Sequence, residues 1–264
     1  MDLQLKGKTA FISGSTQGIG FAIAQQLSAE GAAVILNGRT EERVQAAVDK
    51  LRKEVPGAIV SGIPADFSRA EEVEELLKKT GPVDILVNNA GIFGPKPFGE
   101  ITDEDWLRFF EVNVMSGVRL SRYYLPKMLE KNWGRILFIS SESAINIPEE
   151  MIHYGMTKTA QLAVSRGLAE LTRSTAVTVN SVLPGPTFSE GAAEFVSQLA
   201  AANHTTPEEA EKDFFRTMRP TSLLQRFADV KEVAHFVAYL SSPLSSATNG
   251  SALRVDGGVV KSIL

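Results

Sequence analysis

Short apolar runs rich in β-branched residues alternate with longer segments of helical periodicity along most of the chain. Apolar runs without polar alternation are typical of strands buried on both faces, as in parallel sheets covered by helices. Seven strands are predicted, at residues 9–13, 33–37, 59–64, 85–88, 135–140, 178–183 and 251–255. Six helices are predicted, at residues 18–30, 41–54, 70–80, 103–131, 154–172 and 230–240. The alternation predicts an α/β fold, a doubly wound parallel sheet of about seven strands with helices on both faces.

The domain organisation follows from what interrupts this alternation. The chain of 264 residues carries no internal repeat, no low-complexity tract and no linker rich in proline, glycine or serine. Because α/β domains of roughly 200–250 residues are common, we expect residues 1–264 to form a single domain. Residues 189–226 hold two helix-like pieces and no strand, where a doubly wound sheet needs only a short loop. We interpret this segment as an insertion.

Composition excludes several functional classes. The net charge of −4 lacks the basic surplus that binding to nucleic acid or to anionic membranes leaves in a sequence. The absence of cysteine excludes disulfides, thiolate nucleophiles, Fe–S clusters and cysteine-based zinc sites. His153, His204 and His235 lack metal-ligand spacing, so no metal is expected, and His153 has either a packing or a substrate-facing role. With no apolar stretch near the roughly 20 residues of a membrane span and no signal peptide, we expect a cytoplasmic protein.

A glycine-rich loop follows the first predicted strand and leads into a predicted helix, with the sequence Gly-Ser-Thr-Gln-Gly-Ile-Gly at residues 14–20. Gly14 permits a tight turn, and Gly18 lets backbone N–H groups approach a pyrophosphate at the helix N-terminus. Gly20 lets the helix pack closely on the strand. An ordinary strand-to-helix turn is the alternative for such a loop when it is considered alone.

Further motifs accompany the loop in a fixed order. They are Asn88-Asn89-Ala90-Gly91, Ser141, Tyr154-x-x-x-Lys158, Pro184-Gly185 and Asp256-Gly257-Gly258. With the G-x-x-x-G-x-G spacing of the loop, this set resembles the short-chain dehydrogenase/reductase family, in particular its ketoreductase-like subgroup. The resemblance covers almost the whole chain. It implies a Rossmann-type dinucleotide-binding and catalytic domain, a nicotinamide cofactor, redox chemistry between carbonyls and alcohols, and a homotetramer or homodimer.

Four side chains are predicted to carry the chemistry, namely Asn113, Ser141, Tyr154 and Lys158. Hydride transfer to a carbonyl leaves negative charge on the oxygen, which calls for a nearby proton donor such as the Tyr154 phenol. Lys158 lies one helical turn further on the same face, where its positive charge would favour the phenolate. The resemblance gives Ser141 a substrate-orienting role and gives Asn113 a water that relays protons toward Lys158. A bent helix at Asn113 is compatible with that role.

The cofactor-binding residues are assigned from the glycine loop and from the resemblance. They are Gly14, Ser15, Thr16, Gln17, Gly18, Ile19, Gly20, Arg39, Asp66, Phe67, Asn88, Ala90, Gly91, Tyr154, Lys158, Pro184, Gly185, Thr187 and Ser189. Thr187 and Ser189 depart from the family, which usually has Val or Ile at the first position and Thr at the second. For Asp66, a helix cap is the alternative.

The coenzyme preference is predicted from residues 37–39, Asn-Gly-Arg, at the end of the second strand. An NAD enzyme usually has an acidic residue there, which binds the ribose hydroxyls. Since no carboxylate at this position repels a 2′-phosphate, and since Arg39 and Arg43 offer donors to it, NADP(H) is predicted in preference to NAD(H). A solvated surface arginine is the alternative role for Arg39.

We therefore expect an NAD(P)(H)-dependent oxidoreductase that reduces a small-molecule carbonyl, or oxidises the matching alcohol, with a tyrosine as general acid/base. One alternative is a 3-oxoacyl-carrier-protein reductase. The arginines with which those enzymes grip the carrier are replaced by Asn132 and Thr175, although Arg122, Arg135 and Arg173 are nearby. A non-catalytic nucleotide-binding protein would typically lack the tyrosine or the lysine, and a methyltransferase would leave that pair unexplained.

The insertion at 189–226 is predicted to be a lid over an apolar substrate pocket, because it follows Pro184-Gly185 at the carboxyl edge of the sheet. A capping box at Thr206 begins its second helix. We expect the substrate to carry a hydrophobic substituent, with Arg216 or Arg219 meeting an anionic tail. Core packing or a subunit contact is the alternative role of the segment.

Overall fold

A computed structural model describes residues 1–263 and has a parallel sheet at its centre. Over these residues the sheet has seven strands in the order β3-β2-β1-β4-β5-β6-β9, and all six neighbouring pairs are parallel. The strands are β1 (Thr9–Ile12), β2 (Ala33–Gly38), β3 (Val60–Pro64), β4 (Ile85–Asn88), β5 (Gly134–Ile139), β6 (Val177–Pro184) and β9 (Ala252–Val255). The predicted α/β fold is confirmed, with the strand order that reverses direction between β1 and β4 as in Rossmann-type sheets.

Helices cover both faces of the sheet. They are α1 (Gly18–Ala29), α2 (Glu41–Glu54), α3 (Ala70–Thr80), α4 (Asp103–Phe110), α5 (Ser116–Lys131), α6 (Ile152–Glu170), α7 (Glu190–Ala202), α8 (Pro207–Thr217) and α9 (Val230–Ser241). The core on one face packs α1, α2 and α9 on the sheet, through residues such as Leu27 and Val237. The core on the other face includes Leu76 of α3 and Leu120 of α5. Within residues 1–263, none of these helices has the length and apolar character of a membrane span.

The helix predicted at 103–131 is present with these bounds, but five residues of π-helix, Glu111–Met115, lie within it and divide it into α4 and α5. Asn113 is fully buried in this turn, and its side-chain oxygen accepts a hydrogen bond of 2.7 Å from the Ile92 N–H. Single π turns are often found at functional sites, where they redirect one side chain. The wide turn thus aims the Asn113 amide at the loop that follows β4.

Residues 189–226 form α7 and α8, as predicted, and these helices share a small apolar core of their own. Thr206 caps α8 through a capping box with Glu209. Phe214 stacks on Phe227 with ring centroids 5.2 Å apart. Two short strands missed by the prediction, β7 (Thr187–Phe188) and β8 (Ala228–Asp229), pair in parallel and join the two ends of the segment.

Arg135, at the start of β5, is the largest fully buried side chain described. Its guanidinium donates hydrogen bonds to the carbonyl oxygens of Gly134 (2.9 Å), Ala176 (2.8 Å) and Ser242 (3.2 Å), and lies 4.8 Å from the centre of the Trp133 ring. Burial lowers the pKa of this guanidinium to about 10. The side chain thereby joins β5 to the start of β6 and to the end of α9.

Replacing Arg135 should therefore destabilise the whole fold. We expect Arg135→Ala to lower the free energy of unfolding by about 3 kcal/mol or more, since it leaves a cavity and takes one donor away from each of three carbonyl oxygens. Urea denaturation measures the effect. Arg173→Ala, at a side chain that is 84% exposed, is the control and should change the free energy by less than about 0.5 kcal/mol. Equal stability of the two variants would contradict this role.

Candidate active site

The carboxyl ends of β1 and β4 are joined by the Ser13 and Asn89 side chains. The Ser13 hydroxyl accepts hydrogen bonds from the N–H groups of Asn89 (2.9 Å) and Ala90 (3.0 Å). The Asn89 amide donates to the carbonyl oxygens of Ser13 (3.0 Å) and Gly14 (2.8 Å). These bonds fix the glycine loop at the point where the strand order reverses, which is where open α/β sheets bind ligands.

The backbone conformation and close packing of the glycine loop favour glycine at three of its positions. Gly14 has φ of +61° and Gly18 has φ of +59°, in the left-handed region that favours glycine. A Cβ on Gly20 would lie 2.5 Å from the Gly14 carbonyl oxygen and 2.5 Å from the Asn89 amide nitrogen. The first turn of α1 contains no acidic residue, and the Gln17 side chain makes no capping hydrogen bond. The N–H groups at this helix end are therefore suited to a pyrophosphate.

Ser141, Tyr154 and Lys158 meet at the carboxyl end of β5 and the start of α6. All three line one cavity of about 340 Å³. The Lys158 ammonium donates hydrogen bonds to the Ile139 carbonyl oxygen (2.9 Å) and to Gln161 Oε1 (3.3 Å), and lies 5.6 Å from the centre of the Tyr154 ring. The predicted catalytic tyrosine, serine and lysine are thus brought together.

Burial dominates the acid–base properties of this group. It raises the pKa of Tyr154 to about 12, against the smaller lowering effects of the Ser141 hydroxyl and the Arg219 charge. It also lowers the pKa of Lys158 to about 7. The Lys158 ammonium is directed to Ile139 and Gln161, and its predicted effect on the phenolate stays a prediction. With its pKa at about 12, Tyr154 is a neutral phenol, the form that donates a proton.

Asn113 lies behind the lysine and does not line the cavity. Its amide nitrogen donates hydrogen bonds of 3.0 Å to the Ile92 carbonyl oxygen and to Thr157 Oγ1. Gln161 spans the distance to the lysine: its amide nitrogen donates to the Asn113 carbonyl oxygen at 2.5 Å, and its oxygen accepts from Lys158. Sequence reasoning missed Gln161, although a buried amide one turn after the lysine is a recognisable signal.

The predicted cofactor-binding residues fall into three groups, according to whether they line the large cavity, a second cavity or neither. The large cavity is lined by Gly14, Gln17, Gly18, Ile19, Gly20, Gly91, Tyr154, Lys158, Pro184, Gly185, Thr187 and Ser189. A second cavity of about 250 Å³ is lined by Arg39, Asp66, Phe67, Ala90 and Gly91, together with Asn37 and Arg108, which the prediction did not include. Ser15, Thr16 and Asn88 line neither cavity.

The side chains of two of these three residues form hydrogen bonds within the protein, and their predicted contact with the cofactor stays a prediction. The Ser15 hydroxyl is fully buried, donates to the Ile12 carbonyl oxygen (2.7 Å) and accepts from the Asn37 N–H (2.9 Å), which joins β1 to β2. The buried Asn88 amide donates to the Ser121 hydroxyl (3.2 Å). A serine after a glycine gives no signal in the sequence of which way its hydroxyl points.

Asp66 lies near Arg39 in the second cavity. Burial acts to raise the pKa of Asp66, but hydrogen bonds from the Ser68 N–H and hydroxyl and the charge of Arg39 outweigh it, so the pKa is lowered. Those bonds to Ser68 measure 2.9 and 2.8 Å. The carboxylate thus shapes the loop after β3 and is not a cap of α3, whose capping residue is Arg69.

His153 does not face either cavity. Its buried ring packs against Phe109 at a centroid distance of 4.0 Å and against Trp106 at 6.0 Å. The structure therefore favours the packing role. Among residues 1–263 no cluster of three His, Asp or Glu side chains is placed to hold a metal ion.

The predicted apolar pocket is apolar only in part. Phe195, Phe214 and Met218 of the 189–226 segment do line the large cavity, but so do Glu142 and Arg219. Arg219 is 6% exposed and already paired with carboxylates, so its charge is not available to an anionic tail. Arg216 is exposed and pairs with Asp213. The pairing of Arg219 with Glu142 joins residues 77 positions apart, which no local sequence pattern reveals.

Known proteins resemble this chain over most or all of its length. Residues 14–260 match the family model described as Enoyl-(Acyl carrier protein) reductase. The chain is 52% identical to the uncharacterized oxidoreductase YvaG of Bacillus subtilis (strain 168), over 100% of both chains. It is 31% identical to the 3-oxoacyl-[acyl-carrier-protein] reductase FabG of Aquifex aeolicus (strain VF5), over 98% of this chain and 100% of that one.

A solved structure is similar over the full length as well. L-sorbose reductase from Gluconobacter frateurii, determined in complex with NADPH and L-sorbose, superimposes with a TM-score of 0.93 at 31% identity, over 100% of both chains. Together with the fold and the motifs from Gly14 to Asp256, these matches identify the chain as a member of the short-chain dehydrogenase/reductase family.

Proposed function

We propose that the protein is an NADP(H)-dependent carbonyl reductase, which also oxidises the matching alcohol. The observation that carries the proposal is the single cavity lined by the glycine loop and by Ser141, Tyr154 and Lys158. A site of this kind places a proton donor and a dinucleotide-binding helix end beside the same substrate. The oxidoreductase names of the relatives agree with this reaction.

The reaction needs a proton on the carbonyl oxygen as the carbonyl carbon is reduced. A reduced nicotinamide, when bound, supplies the hydride to that carbon. Tyr154 donates its phenolic proton to the oxygen, and the Ser141 hydroxyl donates a hydrogen bond to the same oxygen. Lys158 in its ammonium form stabilises the phenolate that Tyr154 becomes, since a positive charge near a phenolate favours it. Gln161 and the Ile139 carbonyl hold the ammonium in place.

The residues present fit a dinucleotide that extends from the large cavity to the second one. The helix end at Gly18 would hold the pyrophosphate. Arg39, exposed after β2 and lining the second cavity, would pair with a 2′-phosphate. Asn37, where an NAD enzyme would have its acid, is instead buried, and its oxygen accepts from the Gly14 N–H at 3.0 Å. The NADPH bound by L-sorbose reductase supports the same preference here.

Reduction of 3-oxoacyl groups on a carrier protein is less well supported. Arg135, one of the basic residues near the expected carrier contacts, is 1% exposed. Asn132, at the position of a carrier-gripping arginine, accepts a hydrogen bond from the Ala176 N–H (3.0 Å) and so closes a loop. Arg122 and Arg173 remain exposed. The likeness to the FabG reductase is one of family at 31% identity.

We also propose that residues 1–264 act as one domain and that 189–226 is the substrate lid. Two features support the lid. Residues Phe195, Phe214 and Met218 face the cavity. A Cβ on Gly18 would lie 3.4 Å from the Ser189 Cβ, so the start of α7 covers the glycine loop. A lid in this position excludes water while the reaction proceeds.

We also propose that the protein is a cytoplasmic homodimer or homotetramer. The α4 helix exposes Leu107 (69%) and Phe110 (39%), apolar side chains that a second copy would cover. Light scattering of the purified protein should give a mass of two or four chains, and a monomer at micromolar concentration would contradict the assembly. Cell fractionation tests the compartment.

The role of Tyr154 is tested by removing one hydroxyl. We expect Tyr154→Phe to lose at least about a hundredfold in kcat, the range for loss of a general acid, with NADPH affinity and melting temperature retained. Steady-state NADPH oxidation with the best carbonyl measures kcat. Tyr239→Phe, on the outer face of α9, is the matched control and should keep full activity. Near wild-type rates in Tyr154→Phe would contradict the mechanism.

The role of Arg39 is tested by coenzyme preference. We expect Arg39→Ala to lower kcat/KM for NADPH about tenfold or more and to leave that for NADH unchanged, since only NADPH carries the phosphate. Arg43→Ala, whose side chain does not line the second cavity, should have a smaller effect. Equal kcat/KM for the two coenzymes in the wild type, or an unaltered ratio in Arg39→Ala, would refute the assignment.

Limited proteolysis tests the lid. We expect NADPH together with a carbonyl substrate to slow cleavage within 189–226, because a closed lid presents fewer extended backbone sites to a protease. Cleavage in other exposed loops is the internal control. Equal cleavage rates with and without ligands would show that the segment is ordinary core or a subunit contact.

A further inference from the structure

The wall of the large cavity contains a buried ion cluster built around Arg219. The Arg219 Nε donates to Glu142 Oε1 at 3.0 Å, and its Nη1 donates to Glu150 Oε1 at 3.2 Å. The Glu142 and Arg219 side chains are 4% and 7% exposed. Glu142 directly follows Ser141, whereas Arg219 comes from the 189–226 segment. The cluster therefore ties that segment to the residue next to the substrate-orienting serine.

One oxygen of this cluster lacks a partner. Glu142 Oε2 is buried and makes no hydrogen bond with any part of the chain in the described range. An unsatisfied buried acceptor is costly, and this cost is removed when a ligand supplies the missing donor. Glu142 lines the cavity in which the substrate binds, so a turn of its carboxylate toward the cavity would let the substrate provide that donor.

The chemistry of the missing donor follows from the charges around it. Arg219 already compensates the negative charge of Glu142, and it is itself bound to Glu150. An anionic group would be repelled by the two carboxylates. A neutral O–H group satisfies the free oxygen without adding a buried charge.

The position of Glu142 indicates which hydroxyl it would bind. The carboxylate is one residue from Ser141, and its charge acts on the Tyr154 phenol. Both of those groups address the reacting carbonyl oxygen. Because Glu142, Ser141 and Tyr154 line the same cavity, we expect a donor that reaches Glu142 to belong to a carbon close to the carbonyl.

Resting on the proposed carbonyl reduction, we propose that Glu142 is a specificity-determining residue that accepts a hydrogen bond from a hydroxyl adjacent to the reacting carbonyl. The substrate class is then the hydroxyketones and polyhydroxylated ketones. Arg219 is a positioning residue, which holds the carboxylate with one oxygen free. The apolar side chains of the segment cover the remainder of the cavity.

Two ketones of equal size test the proposal. Hydroxyacetone and butanone have the same number of non-hydrogen atoms and differ in a hydroxyl against a methyl group beside the carbonyl. We expect wild-type kcat/KM to be at least about tenfold higher for hydroxyacetone. Part of this ratio reflects the greater electrophilicity of hydroxyacetone, so the decisive quantity is the change in the ratio between variants.

Two variants remove the acceptor in different ways. Glu142→Gln keeps the shape, and with its amide oxygen on Arg219 it has an N–H donor in place of the free oxygen; we expect it to lower the ratio about fivefold or more, mainly through KM for hydroxyacetone. The double variant Glu142→Met with Arg219→Met removes both charges together, so no unpaired charge is left behind, and it should lower the ratio further. Glu149→Gln, exposed on the same loop, is the control and should keep the wild-type ratio.

The outcomes separate the two proposals. Melting temperature and NADPH binding show which variants fold. If the double variant does not fold, the Glu142→Gln variant alone decides the test. An unchanged ratio in folded, NADPH-binding Glu142→Gln, with butanone still reduced, would overturn the hydroxyl-binding role and leave carbonyl reduction standing. Failure of the wild type to reduce either ketone would overturn the proposed reaction, and the substrate class with it.

Discussion

The arrangement of the site depends on a lysine ammonium held inside the protein. Lys158 is 4% exposed, and the groups that hold it are the Ile139 carbonyl oxygen and Gln161 Oε1. Removing a cation from water disfavours its charged form, which is why its pKa falls to about 7. The Ser140 hydroxyl binds the Lys158 carbonyl oxygen at 2.9 Å and so ties the end of β5 to α6. The Lys158 ammonium keeps its two hydrogen bonds only if β5 and α6 stay at their present distance from each other.

A network of side-chain hydrogen bonds extends from Lys158 to the loop that follows β4. Asn113 in the π turn binds Thr157, whose hydroxyl donates to the Tyr154 carbonyl oxygen at 2.7 Å. Gln161 connects the same asparagine to the lysine. The tyrosine and the lysine are therefore positioned by one network that includes the loop after β4. Since members of such a network act together, we infer that loss of one amide would disturb both groups.

The sequence was sufficient for the parts of the structure that local patterns determine. The seven strands, most helices and the glycine loop follow from hydrophobic periodicity and from residues such as Gly14 and Thr206. It was insufficient where a side chain chooses between partners far apart in the chain. The π turn at Asn113 is accompanied by a hydrogen bond from the distant Ile92 N–H, and the pairing of Glu142 with Arg219 depends on how the 189–226 segment folds back.

We propose that Lys158, which is buried and titrates near neutrality, assists proton donation by Tyr154. It is tested most directly by the pH dependence of kcat/KM for carbonyl reduction. The Lys158 pKa is lowered to about 7 and that of Tyr154 is raised to about 12, so between pH 6 and 9 the lysine loses its proton while the tyrosine keeps its own. We expect kcat/KM to be constant below about pH 7 and to fall above it, in the wild type and also in His153→Phe, which removes the neighbouring titratable ring. A flat profile to pH 9, or loss of the inflection in His153→Phe, would contradict it.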